Sequence, residues 1–149
     1  MLTAKGKYGL KALVYLSQLE PGELALVNDI AVNNNIPKKF LDAILGELRN
    51  AGFVQSKKGK GGGYRLARPA EEIAVGSIVR VLDGPLAPIP CASRTRYQPC
   101  GDCDVATCRV RHMMLAVRNA IADVLDATTV AHMRDSEEGT LPTDLRLRA

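Results

Sequence analysis

The chain has 149 residues, a net charge of +4, four cysteines and no tryptophan. This length suffices for one modest domain with its own core, so the cysteines are not needed as structural disulfides. No apolar run approaches the roughly 18 residues of a membrane span, and the first residues lack a signal-peptide pattern. We therefore expect a cytoplasmic protein with no membrane partner, in which clustered cysteines bind a metal or perform redox chemistry.

Positive charge is concentrated in the first half of the chain. Residues 1–68 carry 11 Lys and Arg against 5 Asp and Glu, whereas residues 69–149 carry 9 against 11. A basic module joined to a slightly acidic one is typical of a protein that contacts a polyanion through its basic part. An ordinary solvated surface would give the same totals, so charge alone does not decide.

The spacing of apolar residues predicts three helices in this first half. The first covers residues 8–19 and stops at a Pro-Gly pair, and a shorter one covers 27–32 before three asparagines that favour a turn. The third covers 37–50, with Pro37 at its first position and Gly52 where a left-handed residue would end it. Its apolar side is predicted to consist of Phe40, Leu41, Ile44, Leu45 and Leu48. Short helix, turn and longer helix form a helix-turn-helix pattern.

A basic, glycine-rich hairpin follows the third helix. Residues 53–56 and 64–66 read as strands on either side of three consecutive glycines, which permit positive φ and close approach to a partner. A hairpin in this position predicts a winged helix-turn-helix domain over residues 1–68. The predicted fold class is therefore mostly α with a small β-hairpin wing, completed by a long C-terminal dimerisation helix.

These elements supply the candidate DNA-contacting residues. The first residues of a recognition helix face base edges, and hairpin lysines suit phosphates or a minor groove. For the helix residues, a merely solvated face is the alternative. The predicted set is Lys38, Lys39, Phe40, Asp42, Lys57, Lys58, Lys60, Gly61, Gly62, Gly63, Tyr64 and Arg65.

Beyond a linker helix and a proline-broken loop over residues 69–90, a long helix is predicted over 109–133. Its apolar stripe is continuous, and Arg111, Arg118, Asp123 and Asp126 fall largely off it. Pairing with a second copy would bury this stripe, and packing on its own winged helix is the alternative. The predicted dimerisation residues are Val110, Met113, Met114, Val117, Ile121, Val124 and Leu125. Residues 134–149 are polar and punctuated by Pro and Gly, and are expected to be disordered.

The cysteines lie in a predicted sensor loop over residues 91–108. The spacing is Cys-x8-Cys-x2-Cys-x4-Cys, with a histidine four residues further on. A C-x-x-C step lets two thiolates reach one metal or cluster, and soft thiolates select zinc, copper(I) or iron–sulfur. Four cysteines would complete a [4Fe–4S] cluster or a zinc site, three with the histidine would hold a [2Fe–2S] cluster, and thiol–disulfide sensing stays open. The candidate ligands are Cys91, Cys100, Cys103, Cys108 and His112, whereas His132 is expected to be a surface residue.

The stretches "FLDAILGELRNAGFVQSKKGKGGGYRLAR" and "IAVGSIVRVLDGPLAP" resemble the Rrf2 family of bacterial winged-helix transcriptional regulators, and the resemblance covers nearly the whole chain. It implies a DNA-binding homodimer that represses or activates promoters. It also favours an iron–sulfur cluster, because sensors of this family hold one with three cysteines in this loop. In this chain the spacing of the cysteines differs from that of the well-known members, and the first helix lacks the carboxylate that some members use as a cluster ligand. A cysteine, His112 or a small molecule would therefore supply the fourth ligand.

The predicted function is a homodimeric transcriptional regulator, not an enzyme, that binds a pseudo-palindromic operator under control of an iron–sulfur cluster or of thiol redox state. The ligated loop would set the spacing of the two recognition helices. No catalytic constellation stands out, and "GKGGG" lacks the Ser or Thr that ends a phosphate-binding loop. The alternatives are a small electron-transfer or redox adaptor protein, and a regulator with structural zinc or a thiol switch.

Overall fold

A computed structural model describes residues 2–136 of the chain. Within that range the fold consists of six α-helices and one antiparallel pair of strands, with short 3₁₀ turns at Ala70–Glu72 and Pro90–Ala92. The elements in chain order are α1 (Ala4–Ser17), α2 (Val27–Asn34), α3 (Lys38–Asn50), β1 (Val54–Lys57), β2 (Gly63–Leu66), α4 (Val75–Asp83), α5 (Arg109–Ala127) and α6 (Val130–Asp135).

One hydrophobic core joins α1, α2, α3 and α4, and α6, which contacts α1, adds Val130 and Ala131 to it. The largest side chains that are fully buried are Leu13, Ile30, Leu41, Ile44, Leu45, Leu48, Ile73, Ile78 and Val130. Helix α1 begins before the predicted start because Thr3 caps it, accepting a hydrogen bond from the Gly6 backbone N–H. The Thr3 hydroxyl in turn donates to Asp83, so the start of α1 is attached to the end of α4.

The helix-turn-helix prediction is confirmed, with one correction on α3. Asn35 ends α2 in the left-handed conformation at φ 52°, and α3 begins after Pro37. The predicted apolar side of α3 is buried except for Phe40, which is 63 % exposed. Phe40 lies about 100° around the helix from Leu41, at the margin of the face whose other members are buried.

The wing contains a third segment that the sequence did not reveal. Strands β1 and β2 pair in antiparallel register from Val54 opposite Leu66 to Lys57 opposite Gly63. Ala25, just before α2, pairs with Tyr64 through both backbone hydrogen bonds, at 2.9 and 2.8 Å. The wing is therefore attached to the helix-turn-helix and cannot swing freely from α3.

The predicted helix over residues 109–133 is two helices in the structure. Thr128 and Thr129 are extended, and this segment pairs with residues 73–75 through hydrogen bonds from Val75 N–H to Thr128 O (2.8 Å) and from Val130 N–H to Ile73 O (2.9 Å). The Thr129 side chain then caps α6. The pairing fixes the C-terminal end of α5 to the segment that precedes α4.

Part of the predicted tail is also ordered in helix α6. Arg134 approaches Glu71 at 3.2 Å, on the 3₁₀ turn before α4. Residues 137–149, where the rest of the disorder prediction falls, lie outside the described part of the chain.

A second attachment joins α4 to α5 through charged side chains. Arg80 donates two hydrogen bonds to the Asp126 carboxylate, at 2.6 and 2.9 Å, and this pairing lowers the pKa of Asp126. Contrary to prediction, Arg118 is buried on α5, where it donates to the Asn119 side chain at 3.1 Å. Throughout residues 2–136, every helix is too short or too polar to cross a membrane.

Candidate nucleic-acid interface and cysteine site

The first two turns of α3 present an exposed surface of mixed chemistry. Lys38, Lys39, Phe40 and Asp42 are all exposed, while Leu41 between them is fully buried and anchors the helix. The first turn of α3 contains no acidic side chain, so the partial positive charge of its N-terminus is reinforced by two lysines. Such a surface can approach phosphates and base edges together.

The tip of the wing is also cationic and exposed. Lys57, Lys58 and Lys60 project from the turn between β1 and β2. Arg65 is exposed on β2, where its Nε donates to the Gln55 side chain at 3.2 Å. The turn itself depends on glycine, because Gly59 and Gly61 have φ of 89° and 75°.

Three members of the predicted DNA-contacting set have visible structural roles. Gly62 is buried, and its N–H donates to the Gly59 carbonyl at 3.0 Å. A Cβ on Gly62 would lie 2.1 Å from the Lys57 carbonyl oxygen, and one on Gly63 would lie 2.5 Å from the Ala25 carbonyl oxygen. Tyr64 is half-buried and its backbone is paired with Ala25. The glycine run therefore closes the turn and lets the wing dock on the segment before α2.

The cysteine loop brings three metal-binding side chains together between the 3₁₀ turn at Pro90–Ala92 and α5. The ligand atoms of Cys100, Asp102 and Cys103 all lie within 4.8 Å of one another. The Cys100 thiol donates to the Asp102 carboxylate at 2.7 Å. Hydrogen bonding to the sulfurs of Cys100 and Cys108 raises the pKa of Cys103 to about 12. The structure thus associates three of the four predicted cysteine ligands.

Cys108 connects this loop to α5. It occupies the N-cap position, and its sulfur accepts from the Arg111 backbone N–H at 3.4 Å. That hydrogen bond, followed by one from Cys103, lowers the pKa of Cys108. The Cys108 backbone N–H donates to the Asp104 carbonyl at 3.0 Å, which closes the turn just before the helix.

Cys108, Cys91 and His112 all lie outside the group formed by Cys100, Asp102 and Cys103, but Cys108 is in contact with the Cys103 thiol. Cys91 is buried in the 3₁₀ turn, and its carbonyl accepts from Arg111 Nε at 2.9 Å. His112 is exposed on α5. His132 is exposed as expected, and its Nδ1 accepts from the Thr129 backbone N–H in the cap of α6.

Asp102 was missed as a site residue, although it stands inside the C-x-x-C step. An acidic residue in an exposed loop is common, so its type and position gave no reason to choose it before its side chain was seen against Cys100. Together the loop offers three thiols and one carboxylate, a donor set compatible with an iron–sulfur cluster or with zinc.

Comparison with known proteins gives concordant matches over nearly the whole chain. The Rrf2 family, described as an iron-dependent transcriptional regulator, matches residues 2–136. A Rhodobacter capsulatus protein named as an rrf2-like HTH-type transcriptional regulator is 40 % identical over 137 residues, which are 89 % of this chain and 91 % of that protein. The relatives that carry functional names are named as regulators rather than enzymes.

Two solved structures share the fold. The structure of CymR, the global cysteine regulator of Bacillus subtilis, has a TM-score of 0.74 and 31 % identity, covering 90 % of this chain and 95 % of that one. The structure of T. potens IscR has a TM-score of 0.71 and 29 % identity, covering 95 % and 92 %.

The glycine run of the wing generates a prediction on stability. Gly62→Ala should lower the free energy of unfolding by about 1–3 kcal/mol, because its Cβ would clash with backbone that has no room to move. Gly46→Ala in α3 is the control, since nothing lies within 4 Å of its added Cβ, and it should raise stability by about 1 kcal/mol. Urea unfolding of both variants measures the difference, and equal effects of the same sign would contradict the packing role.

Proposed function

The chain belongs to the Rrf2 family of transcriptional regulators, and we propose that it acts as a homodimer whose operator binding is controlled by an iron–sulfur cluster held in the cysteine loop. One observation carries this proposal. Cys108, which contacts the Cys103 thiol, also caps α5, and the other end of α5 is fixed to the segment before α4. A change in the ligation of the loop therefore acts on a helix that is connected to the DNA-binding elements.

The first turn of α3 is proposed to read bases and the wing to hold the backbone. Lys38, Lys39, Phe40 and Asp42 would face the major groove, because they share the exposed N-terminal end of α3. Lys57, Lys58, Lys60 and Arg65 would contact phosphates, as would the backbone at the tip of the wing near Gly61. Gly62, Gly63 and Tyr64 would support this surface from beneath through the pairing with Ala25.

The apolar stripe of α5 is proposed to form the dimer interface. Val110, Met113 and Val117 are between 41 % and 57 % exposed. Met114, Ile121, Val124 and Leu125 are half-buried, and the last three line an apolar cleft of about 420 Å³ together with residues of α1 and α4. A second copy would cover this stripe, and two α3 helices would then read the two halves of a pseudo-palindromic operator.

The donor set of the loop fits the proposed cofactor. The cluster would be held by Cys100, Cys103 and Cys108. It would be assembled when iron is supplied and lost on exposure to oxidants. Cys100 and Cys103 are exposed, so small molecules can reach them from solvent. Cys108 would exchange its N-capping hydrogen bond for ligation, and Arg111 would keep the 3₁₀ turn that contains Cys91 attached to α5.

Loss of ligation is proposed to change operator affinity by shifting a population. When Cys100, Cys103 and Cys108 all bind one cluster, the start of α5 has a fixed position relative to the loop. Without it, the N-terminal end of α5 can take other positions, while its C-terminal end stays attached to the segment before α4. In a dimer, a small reorientation of α5 changes the separation of the two α3 helices and hence the fit to half-sites.

A thiol switch on the same residues is the second candidate. It is favoured by the contacts of the Cys103 thiol with both Cys100 and Cys108. An oxidant that accepts two electrons and two protons would join two of these sulfurs as a disulfide. Structural zinc would use the same donors but would leave operator binding insensitive to redox conditions.

The wing generates a prediction on salt dependence. Combined substitution of Lys57, Lys58 and Lys60 by Ala should weaken binding to specific and random duplexes alike, and should reduce the slope of log K against log salt by about 1 for each phosphate that is no longer neutralised. Fluorescence anisotropy at several salt concentrations measures this. Arg94→Ala, an exposed cation outside the winged helix, is the control and should leave the slope unchanged. An unaltered slope in the triple variant would remove the wing from the interface.

The dimer interface generates a second prediction. Val117→Lys should convert the protein to monomers, because a buried unpaired charge costs several kcal/mol in an apolar interface. Asp123→Lys, at an exposed position off the apolar stripe of α5, should remain dimeric. Sedimentation velocity separates the two outcomes, and a Val117→Lys dimer as stable as the parent would contradict the assignment of this stripe.

The cysteine loop generates a third prediction. Cys103→Ser protein purified without oxygen should lack iron and sulfide, and its operator affinity should equal that of the metal-free parent under both reducing and oxidising conditions. Ala106→Ser is a matched control in the same loop and should retain the parent's response. A Cys103→Ser protein that still responds to iron or oxidant would contradict control through this loop.

A further inference from the structure

We propose that the Asp102 carboxylate is the fourth ligand of the metal centre, beside the thiolates of Cys100, Cys103 and Cys108. This inference rests on the proposed function only in that the loop binds a metal centre. It assigns a mixed sulfur and oxygen donor set to a loop whose sequence alone suggested cysteine or histidine.

The position of the carboxylate is the first argument. An Asp102 oxygen lies within 4.8 Å of the sulfurs of both Cys100 and Cys103, which themselves are within that distance of each other. Three ligand atoms so close can share one cation or adjacent irons without movement of the backbone. The Cys100 thiol already donates to Asp102 at 2.7 Å, so a bound cation would replace the proton that now joins these two groups.

The alternatives for the fourth position are engaged elsewhere or lie apart. Cys91 is 6 % exposed, outside the group, and its residue is held by Arg111 through the carbonyl. His112 is exposed on α5 and is likewise outside the group. Asp104, the other carboxylate of this loop, accepts from the Ala106 backbone N–H at 3.0 Å and serves the turn before α5. Asp102 has no such backbone partner among the hydrogen bonds of the described residues.

An oxygen ligand would give the centre a distinct reactivity. Carboxylate is a harder ligand than thiolate and binds iron or zinc less selectively. Asp102 is exposed, as are Cys100 and Cys103, so solvent and small oxidants can reach all three ligands. Because the carboxylate is the harder and less selective ligand, the iron held by Asp102 would be the one from which ligand exchange begins.

The experiment uses Co²⁺ alone as the probe, titrated into the metal-free full chain without oxygen. Thiolate-to-cobalt charge transfer reports sulfur ligands, and the visible d–d bands report the complete donor set. The variants are Asp102→Asn, the matched control Asp104→Asn, which keeps the acceptor oxygen of the turn, and Cys91→Ser and His112→Asn. Thermal unfolding of each metal-free variant establishes that the fold is retained.

The expected result is that Asp102→Asn weakens Co²⁺ binding by at least about 10-fold, since even a residue that only supports a ligand contributes that much to metal affinity. Its d–d bands should shift while the charge-transfer intensity per bound Co²⁺ stays that of three thiolates. The three other variants should match the parent. Unchanged affinity and bands in Asp102→Asn, or equal losses in Asp102→Asn and Asp104→Asn, would overturn the assignment, as would loss of sulfur intensity in Cys91→Ser or altered d–d bands in His112→Asn.

These outcomes are independent of the proposed function. Co²⁺ binding requires neither a cluster nor DNA, so the ligand assignment can hold even if operator binding proves insensitive to the loop. Conversely, an Asp102→Asn protein that binds Co²⁺ like the parent leaves the effect of Cys103→Ser on operator binding untouched.

Discussion

The backbone pairing between residues 73–75 and 128–130 connects the two halves of this protein. Its hydrogen bonds, of 2.8 and 2.9 Å, are flanked by Ile73 and Val130, both fully buried. A backbone hydrogen bond contributes about 0.5–1.5 kcal/mol net, and more is lost when its groups are left unpaired in a dry core. The C-terminal end of α5 is therefore firmly attached to the domain that contains α3 and the wing.

The opposite end of α5 is held by the cysteine loop and by the 3₁₀ turn at Pro90–Ala92. The helix has 19 residues, so it extends about 28 Å from its cap at Cys108 to the pairing at Thr128. With one end fixed and the other joined to a loop of exposed thiols, α5 can convert a local change of ligation into a change of helix orientation. Because the half-buried stripe lies on the same helix, this change would alter the geometry of the proposed dimer interface. In the proposed function, sensing, dimerisation and DNA reading would all depend on α5.

Sequence periodicity predicted the winged helix well because the core of α1, α3 and α4 consists of aliphatic residues at regular helical spacing. Periodicity predicted less well the burial and backbone conformation of residues that depend on the surrounding tertiary contacts. Phe40 fits the apolar side of α3 by spacing, but it lies at the margin of that side and is exposed. Arg118 falls off the apolar stripe of α5 by spacing, yet it is buried beside Asn119. Thr128 and Thr129 end α5 because the pairing with Ala74 holds them extended, and that pairing joins residues far apart in sequence.

The cysteine site shows the same division between local pattern and spatial contact. Spacing indicated a soft-metal or redox loop, and Cys100, Cys103 and Cys108 do associate. Spacing could not separate Cys91 from them, because its burial depends on the 3₁₀ turn and on Arg111, twenty residues further along the chain.

The most direct test of control by a cluster is the operator affinity of protein purified without oxygen. Fluorescence anisotropy would measure this affinity before and after iron chelation, on a duplex selected from a random library. The account predicts iron and sulfide in the purified protein and a change in affinity of at least about 5-fold on chelation. Equal affinities for loaded and metal-free protein would contradict it.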